Sequence, residues 1–293
     1  MSGSEPRFYA YLDPQTGLTT LQDGQLIFVD PVDEGLTPSL VARGYWEPWI
    51  EPVIRRLVRP GDRVIEVGAN FGFYTLLMAS LVGRGGHIET FEANARVMQL
   101  LRRSIYCNGH GGIVTAHQKI AADQNGMMAF ATSDRWAGAG VIALGGRDFG
   151  DETRLDQVEA VRLDDAFPGQ TFDFIRTDAE GSELLILDGA MGILERSPSI
   201  KLCIEWSPAM MRPRGDVGAL AAKLEAMGFK FWKIDNPTGL DPNPLKAAAL
   251  PDLDHGDLVI ARELSHAVLH PRRRPAWKRA LRGLARRFEQ AAR

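Results

Sequence analysis

Residues 63–75 read Arg-Val-Ile-Glu-Val-Gly-Ala-Asn-Phe-Gly-Phe-Tyr-Thr, and this segment constrains the fold more than any other part of the chain. The apolar run Val64–Val67 is typical of a buried parallel strand. Gly68 and Gly72 follow at once, and their lack of a side chain lets a ligand approach the backbone. Helical sequence resumes at Phe73. The segment therefore predicts a strand, a tight turn and a helix in succession, which is the arrangement of a nucleotide-type cradle.

A second predicted strand, His87–Phe91, ends in the carboxylate of Glu92. An acid in that place can accept hydrogen bonds from both hydroxyls of a ribose. The turn lacks the G-x-G-x-x-G spacing of dinucleotide-binding proteins and reads E-x-G-x-x-x-G, with Asn70, which tolerates left-handed backbone, in its middle. Glu66 would repel phosphate and would suit a ligand with a positive end. Together these features favour nucleoside binding over an ordinary strand–turn–helix with incidental glycines.

Length and composition bound the class of protein. The chain has 293 residues and is 45% hydrophobic, which suffices for one large core. It has no apolar run of membrane-spanning length, and its first residues lack the apolar region of a signal peptide. Cys107 and Cys203 belong to no metal-ligand pattern. We therefore expect a cytoplasmic protein without a zinc site.

Strands and helices alternate along most of the chain. The predicted strands are 25–29, 64–67, 87–91, 113–120, 158–163, 172–177, 200–204, 229–234 and 257–261, and the predicted helices are 46–58, 73–82, 95–106, 183–194 and 217–227. This alternation predicts an α/β fold with a mostly parallel sheet and right-handed crossovers. Ligands bind such sheets beyond the carboxyl ends of the strands. Glu66, Glu92, Asp178, Glu180 and Glu205 all lie near those ends, so we expect them to converge on one rim.

Three regions are predicted. Residues 1–58 form a β-rich N-terminal extension with a helix, residues 59–262 form the main domain, and residues 263–293 form a basic amphipathic C-terminal helix. Within the main domain, the polar, Gly-rich stretch of about residues 123–157 interrupts the alternation between strands three and four. We interpret that stretch as an insertion over the ligand end of the sheet.

The chain resembles the FkbM-type S-adenosylmethionine-dependent methyltransferases. The matching segments are Val64–Thr75, Phe91–Asn94, Arg162–Asp165, Phe172–Glu183 and Cys203–Glu205. The resemblance implies a class I methyltransferase fold, which is Rossmann-like, with a seven-stranded, mostly parallel sheet whose last strand is antiparallel. It also implies methyl transfer from S-adenosylmethionine to oxygen on sugars or polyketide-like products. The chain departs from the family pattern at Glu66, where Asp is common, at Ala93, where Pro is common, and at Arg176, where Lys is usual.

The resemblance also implies roles for particular residues. By position, Glu66, Gly68, Asn70 and Gly72 would surround the amino-acid part of S-adenosylmethionine, and Thr75 would lie just behind them. Ala69 and Tyr74 of the same segment would also bind the cofactor. Glu92 would bind the ribose, and Ala93, Asn94, Ala121 and Ala122 would lie near the adenine. Asp178 would lie near the reacting sulfonium.

Methyl transfer to a hydroxyl needs a base that removes its proton. Our hypothesis is that Asp178, Glu180 and Glu205 form this group, with Asp178 as the favoured base. The alternative is that Asp178 only orients the cofactor and that Glu180 caps the following helix. A carboxylate-bound Mg²⁺ could also lower the pKa of the hydroxyl, but acids at strand ends are common without a metal, so the pattern does not favour one.

Several other residues leave two interpretations open. Tyr45, Trp46 and Glu47 precede the main domain and are candidates either for lining the acceptor pocket or for packing. Trp136 and Trp206 could stack on a sugar face or belong to the core. His110 and His255 could reach the site from loops or have no role in it.

We therefore expect an O-methyltransferase that acts on a sugar, a glycan or a glycosylated natural product and releases S-adenosylhomocysteine. The alternatives are N-methylation of an amino sugar and a non-catalytic module that binds S-adenosylmethionine. Residues 1–270 carry 25 basic and 36 acidic groups, which argues against nucleic acid as a partner. The basic C-terminal helix predicts either peripheral contact with an anionic membrane or packing on its own body or a partner subunit.

Overall fold

The computed structural model describes residues 7–133, 135–143, 153–235 and 239–271. Its strands, numbered in chain order, are β1 (Tyr9–Asp13), β2 (Thr16–Thr20), β3 (Leu26–Val29), β4 (Arg63–Val67), β5 (His87–Phe91), β6 (Val114–His117), β7 (Ile120–Ala122), β8 (Gly126–Ser133), β9 (Val141–Ile142), β10 (Thr153–Arg162), β11 (Phe174–Thr177), β12 (Lys201–Trp206), β13 (Lys230–Asp235), β14 (Gly239–Leu240) and β15 (Gly256–Ala261). Its α-helices are α1 (Leu36–Arg43), α2 (Glu51–Leu57), α3 (Phe73–Val82), α4 (Ala95–Cys107), α5 (Leu163–Ala166), α6 (Glu183–Asp188), α7 (Met191–Arg196), α8 (Pro208–Met211), α9 (Val217–Ala226) and α10 (His266–Leu269).

The central sheet has eight strands within the described ranges, in the order β14–β13–β15–β12–β11–β4–β5–β6. Strands β12, β11, β4, β5 and β6 are parallel, whereas β15 is antiparallel to both β12 and β13. The predicted mostly parallel sheet and its antiparallel last strand are confirmed. The count of seven strands needs correction, because Gly239–Leu240 adds a two-residue antiparallel strand beside β13.

The middle of the central sheet is covered on both faces, which is why its strands are continuous apolar runs. Ile65 and Leu202 are completely buried. Helix α4 adds an amphipathic surface and begins at Asn94, whose side chain accepts hydrogen bonds from the N–H groups of Arg96 and Val97. This cap fixes where the chain leaves β5, and it therefore fixes the position of the loop that carries Glu92.

The N-terminal strands β1–β3 form a separate antiparallel sheet that packs against α4. The free edge of β3 is covered by side chains of the α4 segment. The N–H of Leu26 donates to Asn108 Oδ1 at 2.9 Å, and the N–H of Phe28 donates to Ser104 Oγ at 2.9 Å. These bonds occupy edge groups that would otherwise be open to another strand. They anchor the N-terminal segment beside the main domain.

A second four-stranded sheet lies between β6 and β11 in the described chain, in the order β7–β10–β8–β9. The predicted single strand 113–120 is therefore wrong: Val114–His117 stays in the central sheet, whereas Ile120–Ala122 pairs with β10. The predicted helix 183–194 is divided into α6 and α7 near Gly189. A Cβ on Gly189 would lie 1.9 Å from the carbonyl oxygen of Ala122, so this close contact requires glycine at the junction.

A second unit begins at Leu264; the structure describes it as far as residue 271, and this part contains α10. The predicted amphipathic segment with Trp277, Leu281, Leu284 and Phe288 lies outside the described residues. Among the helices that are described, none is long and apolar enough to cross a membrane.

Candidate active site

A cavity of about 310 Å³ opens where β4, β5, β11 and β12 end. This is the edge at which parallel α/β sheets bind their ligands. The predicted site residues that line the cavity are Gly68, Ala69, Asn70, Tyr74, Glu92, Ala93, Ala121, Asp178, Glu180 and Glu205. Those that do not line it are Glu66, Gly72, Thr75, Asn94 and Ala122. The topology therefore brings together acids that are more than a hundred residues apart in sequence.

Gly68 allows three strand ends to meet beside the cavity. It has a φ of +82°, and a Cβ at this position would lie 1.8 Å from the carbonyl oxygen of Asp178. Its N–H donates to the carbonyl of Phe91 at 3.0 Å, and the N–H of Asp178 donates to the carbonyl of Val67 at 3.1 Å. Only glycine fits here, because any side chain would separate the loop after β4 from the loop after β11.

Glu92 and Asn70 connect the two loops that form the predicted nucleoside site. Glu92 Oε2 accepts a hydrogen bond from the N–H of Asn70 at 2.9 Å, and Oε1 accepts one from the N–H of Asn94 at 2.8 Å. Burial raises the pKa of Glu92 to about 7, although these N–H groups oppose the shift. Each carboxylate oxygen retains a lone pair for a further donor. Glu92 is therefore held in place and can still accept hydrogen bonds from ribose hydroxyls.

Glu66 lies behind the first loop. Its side chain is completely buried, and Oε2 accepts hydrogen bonds from Thr75 Oγ1 at 2.5 Å and from Thr90 Oγ1 at 2.8 Å. In the described part of the chain, Oε1 has no hydrogen-bond partner. Burial raises the pKa of Glu66. Glu66 and Thr75 thus support the loop from behind.

The other three predicted residues that do not line the cavity also have structural positions. Gly72 has a φ of +98°, and a Cβ there would lie 2.6 Å from Leu101 Cδ1. Asn94 caps α4, and Ala122 contacts Gly189. These residues shape the two loops without facing the cavity.

Asp178, Glu180 and Glu205 line the same part of the cavity. Burial and the neighbouring Asp178 raise the pKa of Glu180 to about 7, and Glu180 has a left-handed φ of 51°. Burial, Asp178 and other nearby acids raise the pKa of Glu205 to about 10. Glu205 Oε2 has no hydrogen-bond partner within the described ranges. The two acids therefore differ, because their surroundings raise the pKa of Glu205 further than that of Glu180.

Arg176 is a buried positive charge beside these acids. Its Nη2 donates to Asp178 Oδ2 at 2.9 Å, and its guanidinium carbon lies 3.8 Å from the centre of the Tyr74 ring. Burial alone would lower the pKa of Arg176, but Asp178 and the other anionic neighbours outweigh this effect and raise it. The guanidinium therefore stays charged and orients Asp178.

Glu47 and Asp257 were not among the predicted site residues, but both lie at the site. The Tyr74 hydroxyl donates to Glu47 Oε2 at 3.0 Å, and Trp49 Nε1 donates to Asp257 Oδ2 at 3.3 Å. Burial raises the pKa values of both acids. Glu47 was one of the residues whose role the sequence left open. Asp257 lies opposite Glu205 in the β12–β15 strand pair, so its place beside the site could have been predicted only from the register of these two strands.

The structure also shows the positions of five further residues whose role the sequence left open. Trp46 and His255 line the cavity, whereas Trp206 is fully buried and donates to the carbonyl of Leu250 at 3.1 Å. Trp136 is half exposed, and His110 contacts Gln25 at 2.8 Å. The core interpretation of Trp206 is therefore confirmed.

Asp33 joins the N-terminal segment to the second sheet over the cavity. Its Oδ1 accepts from the N–H of Ala137 at 2.9 Å, and Oδ2 accepts from the N–H of Thr37 at 2.8 Å. Leu36, Ala137 and Gly138 line the cavity next to this contact. The two segments thus form one wall of the site together.

The residues around the cavity fit a nucleoside with a positive end. Bare backbone at Gly68, the fixed carboxylate of Glu92 and the apolar side chains of Phe91 and Ile120 supply the contacts that a ribose and a base need. The acids at the other strand ends suit a cation. No group of three or more His, Cys, Asp or Glu side chains among the described residues could hold a metal ion.

Comparison with known proteins gives several matches. Residues 66–231 match the methyltransferase FkbM domain. A protein-L-isoaspartate O-methyltransferase of Ignicoccus hospitalis is 34% identical over 56 residues, which is 19% of this chain and only 26% of that protein.

Solved structures give weaker likenesses. A candidate rRNA methylase of Clostridium thermocellum has a TM-score of 0.45 at 10% identity, covering 74% of this chain and 97% of the other. An S-adenosylmethionine-dependent O-methyltransferase of Thermotoga maritima has a TM-score of 0.40 at 13% identity, covering 87% and 96%. Fibrillarin of Aeropyrum pernix, with natively bound S-adenosylmethionine, has a TM-score of 0.41 at 13% identity, covering 87% and 98%.

The family match covers more than half of the chain and contains the loops after β4, β5, β11 and β12. Glu47 and His255 lie outside it. The chain belongs to the FkbM family of methyltransferases.

Proposed function

We propose that the protein transfers a methyl group from S-adenosylmethionine to a hydroxyl of a sugar, a glycan or a glycosylated natural product. The observation that carries the proposal is the shared cavity: Asp178, Glu180 and Glu205 line the same space as Gly68 and Glu92. A donor bound by the first two loops would thus have carboxyl groups beside it. The donor supplies an electrophilic methyl group, and the protein's task is to align the acceptor and take up its proton.

Asp178 is the favoured base, because Arg176 holds its carboxylate in one orientation at the cavity. Glu180 is the next candidate, since a base works best when its pKa lies near the working pH, and the pKa of Glu180 is raised to about 7. Glu205, with its pKa raised to about 10, would carry a proton at neutral pH and would donate a hydrogen bond to the acceptor. The three acids thus have different tasks because their surroundings differ.

The variant Asp178→Asn tests the base. It keeps the shape of the side chain, so calorimetric titration should show S-adenosylhomocysteine, which lacks the sulfonium charge, binding within about threefold of the wild type, while turnover at saturating S-adenosylmethionine falls about a hundredfold or more. The control is Asp188→Asn, which changes an acid that pairs with Lys223 at 3.5 Å outside the cavity. Unchanged turnover in Asp178→Asn would remove Asp178 as the base and leave Glu180→Gln as the next variant.

N-methylation of an amino sugar is the second candidate, and the acidic lining favours it. A protonated amine would be attracted by Glu180 and Glu47, and once it is neutral it needs no strong base. Turnover on a panel that pairs each neutral glycan with its amino analogue would separate the two reactions. Binding of S-adenosylmethionine without turnover on either half of the panel would favour a non-catalytic module instead.

The setting of the enzyme is also part of the proposal. We propose a cytoplasmic location and a glycan acceptor. We propose no nucleic acid partner, because residues 1–270 have a formal charge of −11. For the basic C-terminal segment we propose peripheral membrane contact or self-association. Co-sedimentation with anionic vesicles, compared with a chain that ends at residue 270, separates these roles. Equal binding by both forms would exclude the membrane role.

A further inference from the structure

Glu47 lies outside the matched family domain, yet its carboxylate reaches the cavity. It precedes α2 and has a left-handed φ of 39°, an uncommon conformation for a residue with a side chain. Its side chain is only 20% exposed. The Tyr74 hydroxyl donates to Oε2 at 3.0 Å, which fixes the carboxylate against α3. A strained backbone and a tethered side chain together hold this acid at one point of the cavity wall.

The charge that Glu47 faces is Arg176. The guanidinium is 4% exposed, and its Nη2 lies 4.0 Å from Glu47 Oε2 and 2.9 Å from Asp178 Oδ2. A buried cation at the end of the cavity would repel a sulfonium, because charges interact strongly where water is excluded. Asp178 alone would only neutralise the guanidinium. A second carboxylate makes the group as a whole negative.

We propose that Glu47 is an electrostatic positioning residue for the methyl donor: together with Asp178 it outweighs Arg176, so that the cavity binds the cationic sulfonium of S-adenosylmethionine more tightly than the neutral thioether of S-adenosylhomocysteine. This inference rests on the proposed use of the cavity for the donor. It gives the N-terminal segment a role in distinguishing the methyl donor from the product. Methyl transfer removes the positive charge of the sulfonium, and Glu47 helps to bind that charge.

The proposal predicts a pH dependence. Burial and Asp178 raise the pKa of Glu47 to about 8. The groups that face it are Tyr74 on α3, Arg176 and Asp178 at the end of β11, and Asp257 on β15. A bound cation favours ionised Glu47, so the preference for donor over product should increase as the pH rises towards 8 and then level off. The comparison of the wild type with Glu47→Gln at each pH removes the ionisations of the two ligands, which are the same for both proteins.

Calorimetric titration of the full chain with S-adenosylmethionine and S-adenosylhomocysteine tests the proposal. We expect Glu47→Gln to bind the donor about tenfold more weakly while its affinity for the product changes by less than about twofold. The ratio of affinities in this variant should depend less on pH than the ratio in the wild type. Tyr74→Phe keeps the ring under Arg176 but releases the carboxylate, so it should move the ratio in the same direction by a smaller factor.

The control is Glu51→Gln, which removes an acid of the same segment that pairs with Arg55 at 2.7 Å; both affinities should stay unchanged. Equal losses for donor and product in Glu47→Gln would identify a structural role and overturn the proposal, as would an unchanged ratio. If Glu47→Gln does not fold, Tyr74→Phe decides the question by the same ratio. A wild-type chain that binds neither ligand refutes the proposed function as well, whereas wild-type binding with an unaffected ratio in the variants removes only the role of Glu47.

Discussion

Single residues in unusual backbone conformations mark the site. Asn70, Glu180 and Glu47 are the non-glycine residues of the described chain with positive φ, and all three line the cavity. Each such conformation costs about 1–3 kcal/mol, and this strain typically occurs where function requires it. Asn70 could be recognised from the sequence because Asn tolerates this region. Glu180 and Glu47 could not, because glutamate gives no such signal and only the surrounding packing imposes the conformation.

Gly68 gives the sharpest test at this scale. Gly68→Ala would place a methyl group 1.8 Å from the Asp178 carbonyl oxygen, in addition to the strain of its φ of +82°. We expect it to lower the free energy of unfolding by about 3 kcal/mol or more. Gly109→Ala is the matched control, because Gly109 has a φ of +72° and open space around it; it should cost about 1 kcal/mol. Equal losses in urea denaturation would show that conformation, and not the contact with Asp178, decides the choice of glycine.

At the scale of secondary-structure elements, the sequence predicts most accurately the strands and helices whose ends are set by local sequence patterns. The strand 87–91 and the helix 73–82 are confirmed to the residue, because Gly86 precedes the strand and Gly72 and Gly83 flank the helix. The second sheet could not be predicted as a sheet. Its strands β7 and β10 pair across residues far apart in the chain, and the short run at 120–122 cannot be distinguished from the end of β6 by its composition.

The contact between the N-terminal segment and the second sheet is a property of elements, and Asp33 tests it. Asp33→Ala removes the acceptor for the N–H groups of Ala137, Thr37 and Gly35, which should cost about 2 kcal/mol and speed hydrogen exchange at Ala137. Asp216→Ala is the control, because Asp216 caps α9 in a similar way through Gly218 and Ala219. It should lose stability without faster exchange at Ala137. Unchanged exchange in Asp33→Ala would mean that the wall over the cavity does not depend on this side chain.

At the scale of the whole molecule, the site is assembled from segments that the fold brings together. The convergence of Glu92, Asp178 and Glu205 could be predicted, because parallel strands end at one edge of a sheet. Glu47 and Asp257 could not, since one comes from a segment before the sheet and the other from its antiparallel strand. The resulting concentration of buried acids has an energetic consequence for the entire fold.

Buried acids make the stability of the unliganded protein depend on pH. The pKa values of Glu205, Glu47 and Glu180 are raised to about 10, 8 and 7, whereas these groups titrate near 4.5 in the unfolded chain. An acid whose folded pKa is raised contributes stability below its unfolded pKa and loses that contribution as the pH rises through the folded value. We therefore expect a higher free energy of unfolding at pH 5 than at pH 8, as measured by urea denaturation.

Glu205→Gln isolates the largest of these contributions. Near pH 5 the variant and the wild type should be equally stable, because the wild-type carboxyl group is protonated in the folded protein and shaped like the amide. At pH 8 the variant should be more stable by up to about 4 kcal/mol, since it avoids the protonation that folding imposes on Glu205. The exposed Glu195→Gln should show no such pH-dependent gain. A constant difference between Glu205→Gln and wild type at both pH values would mean that packing, not ionisation, separates them. A gain confined to high pH, together with lost turnover, would show that the fold keeps this acid at a cost in stability because the reaction needs it.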